Sequence, residues 1–135
     1  MTMTADEVVR NFYESYNDRD LDRTYEQYVS HDLINHAFGG AYDRAGWLAA
    51  DQGLLAAFTD LHVEVLDQIV QGDRVATRFA MTGTQSGEFF GVAPSGAKAT
   101  LTGTAFDRIA DEKIAEHWSD SDLGSFMQQL TAAGA

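Results

Sequence analysis

Apolar residues recur at helical spacing in three stretches of the first half of the chain. Thr4 and Glu7 form the sequence signature of a capping box, so a helix is predicted to begin there. Its inward-facing residues are Val8, Val9, Phe12, Tyr13 and Tyr16. A second helix is predicted over residues 21–29. Asp43 can cap a third helix, whose apolar side carries Trp47, Leu48, Leu54, Leu55 and Phe58. The intervening stretch "SHDLINHAFGGAYD" shows no period and is predicted to be irregular.

From Leu61 onward the apolar period changes to two, which is typical of strands with one buried face. In "VATRFAMTGTQ" one face carries Val75, Thr77, Phe79 and Met81, and the other carries Ala76, Arg78, Ala80 and Thr82. The stretches "ATLTGTAFDRI" and "IAEHW" are predicted as further strands. A closing helix is predicted to bury Leu123, Phe126, Met127 and Leu130. Helices followed by strands with short turns favour an α+β fold with an antiparallel sheet. Curved over the helices, such a sheet would enclose an apolar pocket.

Composition and charge narrow the classes of protein to which the chain can belong. With 135 residues, of which 44% are hydrophobic, residues 1–135 are predicted to form a single domain. The net charge of −12 disfavours binding to nucleic acid or to an anionic membrane, and it disfavours a strongly anionic substrate. There is no apolar run of membrane-spanning length and no signal-peptide pattern in "MTMTADEVVR", so a cytoplasmic location is expected. The chain has no cysteine, which excludes disulfides and thiolate nucleophiles.

The segment 72–130 resembles the SnoaL-like polyketide cyclases, also called ester cyclases, of the nuclear transport factor 2-like superfamily. The resemblance is carried by "GDRVATRFAMTGTQSGEFFGVAPSG" and by "FDRIADEKIAEHWSDSDLGSFMQQL". It implies a cone-shaped, curved antiparallel sheet wrapped over the N-terminal helices, with an internal apolar pocket. It also implies a homodimer and a reaction without a cofactor.

In characterised members of that family, an aspartate shortly after the "HW" pair is the general acid and base. It removes a proton next to a carbonyl group, and the resulting enolate closes a ring by intramolecular aldol addition. The resemblance assigns this role to Asp122 and implies a small, hydrophobic, carbonyl-containing substrate. One departure is that "TGTAFDRI" lacks the Gln-x-His pair that assists the aspartate in those cyclases.

Asp122 has two interpretations that predict opposite electrostatics. A catalytic carboxylate would lie in the apolar pocket, where burial raises its pKa towards the working range. Because Asp122 precedes "LGSFMQQL", it can equally be the N-cap of the closing helix. The cap would accept backbone amide hydrogen bonds, which lower the pKa of a carboxylate.

His117 and Trp118 occupy opposite faces of the last predicted strand, so one of them faces inward. An inward His117 is a second catalytic candidate, because imidazole can shuttle protons near neutral pH. The alternative is a histidine hydrogen-bonded at a sheet edge or a dimer surface. Trp118 is a candidate for the pocket wall or the core.

Five further residues are candidates for substrate binding: His36, Arg78, Tyr16, Phe58 and Phe90. His36 lies in the irregular segment, where it can line the pocket entrance or be structural. An inward Arg78 would need a carboxylate partner, whereas an outward Arg78 would form a surface ion pair. The hydroxyl of Tyr16 can bind an enolate oxygen if it does not simply pack in the core. No metal site is expected, because His31 and His36 have no third ligand at a metal-like spacing.

Three functions remain open from the sequence. The first is a cofactor-independent cyclase or isomerase, and the second is a non-catalytic protein that binds a small apolar molecule. The third is epoxide hydrolysis, which in the known family of this fold uses an arginine and an aspartate two residues apart on one strand. Here Arg78 is followed at that spacing by Ala80, which disfavours the third.

Overall fold

The computed structural model describes residues 2–37 and 43–132. Its helices are α1 (Ala5–Ser15), α2 (Leu21–Tyr28), α3 (Arg44–Ala57) and α4 (Leu123–Ala132), with a 3-10 turn at Tyr16–Asp18. Its strands are β1 (Val29–Asn35), β2 (His62–Gln71), β3 (Arg74–Thr84), β4 (Lys98–Ala110) and β5 (Lys113–Ser121). The predicted α+β class is confirmed.

Helices α1 and α3 begin at their predicted caps, and α2 begins at the predicted residue 21. The Thr4 amide donates to the Glu7 carboxylate over 3.1 Å, so the capping box is confirmed. Asp43 accepts from the amide of Gly46 over 2.8 Å at the start of α3. Asp20 does the same for Arg23 at the start of α2. These short side chains satisfy amides that the first turn of a helix leaves unpaired.

The five strands form one curled, unclosed sheet in the order β1-β5-β4-β3-β2. Strands β2 to β5 pair antiparallel as predicted, whereas β1 pairs parallel with β5. The prediction that residues 30–43 are irregular is therefore wrong for the part that forms β1, and residues 38–42 lie outside the described residues. A register shift between Val29 and Ile34 breaks the apolar alternation of this edge strand, which explains why it has no clear period.

The core lies between the inner face of the sheet and the helices. The predicted inner face of β3 is confirmed, because Val75, Thr77, Phe79 and Met81 are all buried. Gly103 on β4 stands directly across from Phe79, and a Cβ atom at Gly103 would lie 2.5 Å from the tip of that ring. Only glycine leaves room for Phe79 to lie flat on the sheet, where the ring becomes part of an internal wall.

No helix within residues 2–37 and 43–132 has both the length and the apolar character needed to cross a bilayer.

Candidate active site

A cavity of about 140 Å³ opens between the inner face of the sheet and helices α1 and α3. Most of its wall is aromatic or aliphatic, including Trp47, Phe79, Met81 and Leu101. The polar side chains that line it are Tyr13, Tyr16, Asn35, Asp51, His117, Ser119 and Ser121. Neither lysine nor arginine is among the described residues of the wall. The predicted apolar pocket is present, and it contains a small set of polar groups.

Asp51 on α3 is the carboxylate of this cavity. The hydroxyl groups of Tyr16 and Tyr25 both donate to its Oδ2 atom, Tyr25 over 2.5 Å. Burial raises the pKa of the Asp51 carboxyl to about 6, although the two tyrosine hydrogen bonds and the nearby His117 act in the opposite direction. Burial, together with the charge of Asp51, raises the pKa of Tyr16 and Tyr25, so both hydroxyls stay protonated. Asp51 can therefore exchange a proton near neutral pH. Its Oδ1 atom accepts no hydrogen bond from the described residues and is available to a ligand.

Sequence reasoning did not find Asp51, although a signal was present. Asp51 follows Trp47 by four residues and precedes Leu54 by three, so all three lie on the same face of α3. A carboxylate on the apolar face of a helix is costly unless it is hydrogen-bonded or functional.

His117 faces inward and forms a pair with Asp107. The two residues are direct partners across the β4–β5 ladder, and His117 Nδ1 lies 2.6 Å from Asp107 Oδ1. Both are buried, and burial raises the pKa of the Asp107 carboxyl although the charge of His117 opposes the shift. With Nδ1 committed to Asp107, Nε2 is the nitrogen available to a ligand. The ring also stacks on Trp47 at 4.2 Å between ring centroids, which fixes its orientation.

Asp107 stands within "TGTAFDRI", the stretch that lacks the family's Gln-x-His pair. Asp107 on β4 and His117 on β5 instead form a polar pair in this part of the sheet. Sequence reasoning missed Asp107, because only the pairing register shows that it lies opposite His117.

Asn35, at the end of β1, also lines the cavity and was not predicted. Its side chain is 2% exposed, and its Oδ1 atom accepts a hydrogen bond from the Ala37 amide over 2.8 Å. Its Nδ2 atom has no hydrogen-bond partner among the described residues. A buried amide donor without a partner is costly, so the nitrogen is suited to bind an oxygen atom of a ligand.

Three of the predicted site residues line the cavity: His117, Tyr16 and Phe90. Phe58 is fully buried but lies in the core, where its ring packs against Phe89 and Phe126 at centroid distances of 5.4 and 5.2 Å. The predicted pocket position of Phe58 is corrected to a packing role, because Phe58 lies behind the lining residue Phe89 and is not itself in the cavity wall.

Asp122 does not line the cavity. It is exposed, and its Oδ1 atom accepts a hydrogen bond from the Ser125 amide over 3.1 Å at the start of α4. The structure thus shows the cap arrangement that was the alternative interpretation. The alternation of β5 explains the difference, because its inward positions are His117, Ser119 and Ser121. Asp122 follows the strand and begins the helix instead.

His36 and Trp118 lie on the outer face of the sheet and do not line the cavity. His36 Nε2 is 2.7 Å from Glu116 Oε2, and its ring stacks on Trp118 at 4.8 Å. Trp118 is half-buried there, and Arg74 lies over its ring at 5.5 Å. The predicted pocket position is corrected for both residues. Each follows a residue that faces the cavity, Asn35 or His117, and strand alternation turns the next side chain outward.

Arg78 is also on the outer face. It is exposed and forms a surface ion pair, with Nε 3.4 Å from Asp67 Oδ2. The structure therefore corrects the prediction that Arg78 binds substrate in favour of the surface alternative. Among residues 2–37 and 43–132, no group of three or more His, Asp or Glu side chains is placed to hold a metal ion.

The family model of the SnoaL-like polyketide cyclases matches residues 6–130. The chain belongs to this family. None of the curated proteins matches it. Among solved structures, wild-type IdmH of Streptomyces antibioticus, a proposed polyketide cyclase, shares 34% identity and a TM-score of 0.83, over 96% of this chain and 99% of IdmH.

Two further solved structures show the same fold. AclR of Streptomyces galilaeus, a proposed hydroxylase, shares 27% identity and a TM-score of 0.86, over 95% of this chain and 96% of AclR. A proposed SnoaL-like polyketide cyclase of Jannaschia sp. CCS1 shares 25% identity and a TM-score of 0.80, over 95% of this chain and 92% of that one. The SnoaL-like family and the neighbours that are proposed cyclases support a cyclase or isomerase role.

Proposed function

We propose that this SnoaL-like chain is a cofactor-independent cyclase or isomerase in which Asp51 is the acid and base that enolises a small hydrophobic carbonyl compound. The supporting observation is a carboxyl with a pKa of about 6 inside an apolar cavity. Such a group is ionised at neutral pH and still basic enough to accept a proton from carbon. Asp51 thus takes the role that the family pattern assigned to Asp122.

The reaction begins when Asp51 Oδ1 accepts a proton from the carbon next to a substrate carbonyl. The electrons of that C–H bond move onto the carbonyl oxygen, which becomes an enolate. The Nδ2 atom of Asn35 and a protonated Nε2 of His117 are the donors available in the cavity to stabilise this charge. Asp107 holds the His117 ring in place through its contact with Nδ1.

Ring closure follows when the enolate carbon attacks a second carbonyl of the same molecule. One carbon–carbon bond forms, the second carbonyl oxygen becomes an alkoxide, and the proton held by Asp51 returns to that oxygen. Without a second carbonyl, return of the proton to a different carbon of a conjugated enolate moves the double bond, and the result is isomerisation. Tyr16 and Tyr25 keep Asp51 in place throughout, because both hydroxyls donate to the oxygen that does not react.

The cavity wall points to a neutral substrate. The charge of Asp51 would repel a substrate carboxylate or phosphate. The described lining residues include no lysine or arginine that could neutralise such a group. The volume of about 140 Å³ resembles that of an engineered cavity of about 150 Å³ that holds benzene. A compact, one-ring part of a ligand therefore fits inside.

The test is exchange of the α-hydrogens of 1-tetralone, a neutral aromatic ketone, for deuterium in D₂O, followed by proton NMR. We expect the protein to accelerate exchange, with a rate that rises as Asp51 ionises through a pD near 6. The Asp51→Asn variant should lose about 10²- to 10⁴-fold of the rate. The Asp122→Asn variant is the matched control and should exchange at the wild-type rate. Full exchange activity in Asp51→Asn would contradict the proposal.

A non-catalytic binding protein is the second candidate, because the two tyrosine hydrogen bonds could simply satisfy a structural carboxylate. Tight binding of 1-tetralone without any acceleration of exchange would favour this candidate. Epoxide hydrolysis is disfavoured further, because Arg78, the candidate arginine for that reaction, is exposed on the outer face.

We also propose that the chain forms a homodimer, as the family resemblance implies. The outer face of the sheet supports this, since Phe106 and Ile34 are exposed there beside Trp118. Sedimentation velocity of the full chain would test it, and a monomer at all concentrations would contradict it.

A further inference from the structure

The tip of the loop between β3 and β4 is a tight hairpin turn at residues 89–92. Phe89 and Val92 exchange two backbone hydrogen bonds of 3.0 and 2.9 Å. The two central residues both have positive φ angles, 46° at Phe90 and 78° at Gly91. A two-residue turn of this type needs such angles, and asparagine followed by glycine is its preferred sequence. Phenylalanine is unfavourable there, because its Cβ atom crowds the backbone.

The ring of Phe90 stands in an equally unusual place. It lines the cavity, yet 68% of the residue is exposed. Its inner neighbour Phe89 lies 4.7 Å away between ring centroids and packs in turn on Phe58 and Phe126. The base of the turn is therefore anchored in the core, and the tip presents an aromatic ring at the mouth of the cavity.

A buried glutamine stabilises this loop from behind. Gln85 is 1% exposed, and its Nε2 atom donates to the carbonyl oxygens of Gly87 and Val92 over 3.0 and 2.9 Å. Its Oε1 atom accepts from the hydroxyl and the amide of Ser95. The position of Phe90 is thus set by the fold before any ligand arrives.

We propose that Phe90 is a specificity-determining residue that binds the apolar ring of a neutral ligand whose carbonyl reaches towards Asp51. A strained backbone persists where the surrounding structure imposes it, and such positions cluster at binding sites. Here the strain aims a large apolar surface at the cavity mouth, where a ligand would cover it. The inference rests on the proposed function for the class of ligand.

The decisive variant is Phe90→Asn, because it places asparagine before Gly91 and relaxes the turn while removing the ring. Binding of 1-tetralone by the full chain is measured by NMR titration, and Tm is measured alongside. We expect Kd to rise about 10- to 100-fold, while Tm stays the same or increases by a few degrees.

Two further variants complete the test. Phe90→Tyr retains an aromatic ring and should keep Kd near the wild-type value. Ile69→Thr removes another exposed apolar side chain, 72% exposed on β2, and should leave Kd unchanged because Ile69 does not line the cavity.

Wild-type affinity in Phe90→Asn would overturn the proposal. A parallel loss of affinity and Tm in that variant would also overturn it, because the ring would then support the fold and not the ligand. Absence of 1-tetralone binding by the wild-type protein would contradict the ligand class. Failure of the proposed function looks different: the wild type would bind 1-tetralone, lose affinity in Phe90→Asn, and accelerate no exchange.

Discussion

Strand β5 contributes one residue to each of two histidine–carboxylate pairs, which lie on opposite faces of the sheet. His117 pairs with Asp107 on the inner face over 2.6 Å, and His36 pairs with Glu116 on the outer face over 2.7 Å. Each histidine also stacks on a tryptophan. The side chains of the inner pair are 4% and 0% exposed, whereas those of the outer pair are 38% and 19% exposed. The two pairs share chemistry and geometry and differ in burial.

Burial on the inner face and the added Arg108 hydrogen bond on the outer face give the two carboxylates opposite pKa shifts. On the inner face, desolvation raises the pKa of Asp107, and His117 opposes that shift only in part. On the outer face, hydrogen bonds from His36 and Arg108 lower the pKa of Glu116. A buried pair is costly to break, because the remaining charge cannot be solvated, whereas a surface pair is screened by water. The inner pair is therefore suited to chemistry and the outer pair to a surface contact.

The largest effect is expected from breaking the inner pair. His117→Leu leaves the Asp107 carboxylate buried without a partner, since its Oδ2 atom already lacks one among the described residues. We expect the free energy of unfolding in urea at pH 7 to fall by about 3–5 kcal/mol. Adding Asp107→Leu to this variant should recover much of the loss, because the uncompensated charge is then removed. A double variant as unstable as the single one would show that packing on Trp47 dominates.

The second prediction concerns Asp51, the carboxylate of helix α3 that lines the cavity. The pKa of Asp51 is about 6 in the folded chain and about 4 when unfolded. Between these two pKa values the folded state binds more protons than the unfolded state. The stabilisation that the protonated Asp51 carboxyl gives to the folded state is therefore fully present below pH 4 and is lost as pH rises through 6. Asp51→Asn removes this loss, and we expect it to raise the free energy of unfolding at pH 7 by up to about 3 kcal/mol.

Urea unfolding of Asp51→Asn and wild type at pH 5 and pH 7 measures this effect. The advantage of the variant should be about 1 kcal/mol larger at pH 7 than at pH 5. An advantage that does not change with pH would mean that Asp51 is not the titrating group. Lower stability at both pH values would mean that the tyrosine hydrogen bonds require the charged form.

An exposed carboxylate provides the contrast to Asp51. Asp122→Ala removes the hydrogen bond to the Ser125 amide, so we expect a loss of about 1 kcal/mol in the free energy of unfolding. The rate of α-deuterium exchange should not change, because Asp122 does not line the cavity. A large fall in exchange with little change in stability would restore the catalytic role that the family pattern implies.

The smallest effect is expected on the outer face. His36→Leu breaks the pair with Glu116, which keeps its bond to Arg108 at 3.0 Å and its access to water. We expect no measurable change in the urea midpoint or in exchange. A loss comparable to that of His117→Leu would contradict the claim that burial separates the two pairs. A change that appears only when sedimentation shows dissociation would place His36 at the homodimer interface.

The sequence was sufficient to determine most of the helices, the antiparallel strands and the alternation of their faces. These features depend on local spacing and on short capping motifs, such as Thr4 with Glu7, that can be found without the fold. The family pattern added the curled sheet and the cavity. It also directed attention to the "HW" region, where His117 does face inward.

Only the tertiary structure decided which polar groups meet inside. Asp51 comes from a helix, Asn35 from an edge strand and His117 from the neighbouring strand β5, and long-range packing brings them to one cavity. Asp107 joins this group through its contact with His117. Asp122 illustrates the same limit, because its sequence context fits a catalytic acid and a helix cap equally well. Burial separates such alternatives, since it sets whether a carboxylate is solvated, and burial depends on neighbours that are distant along the chain.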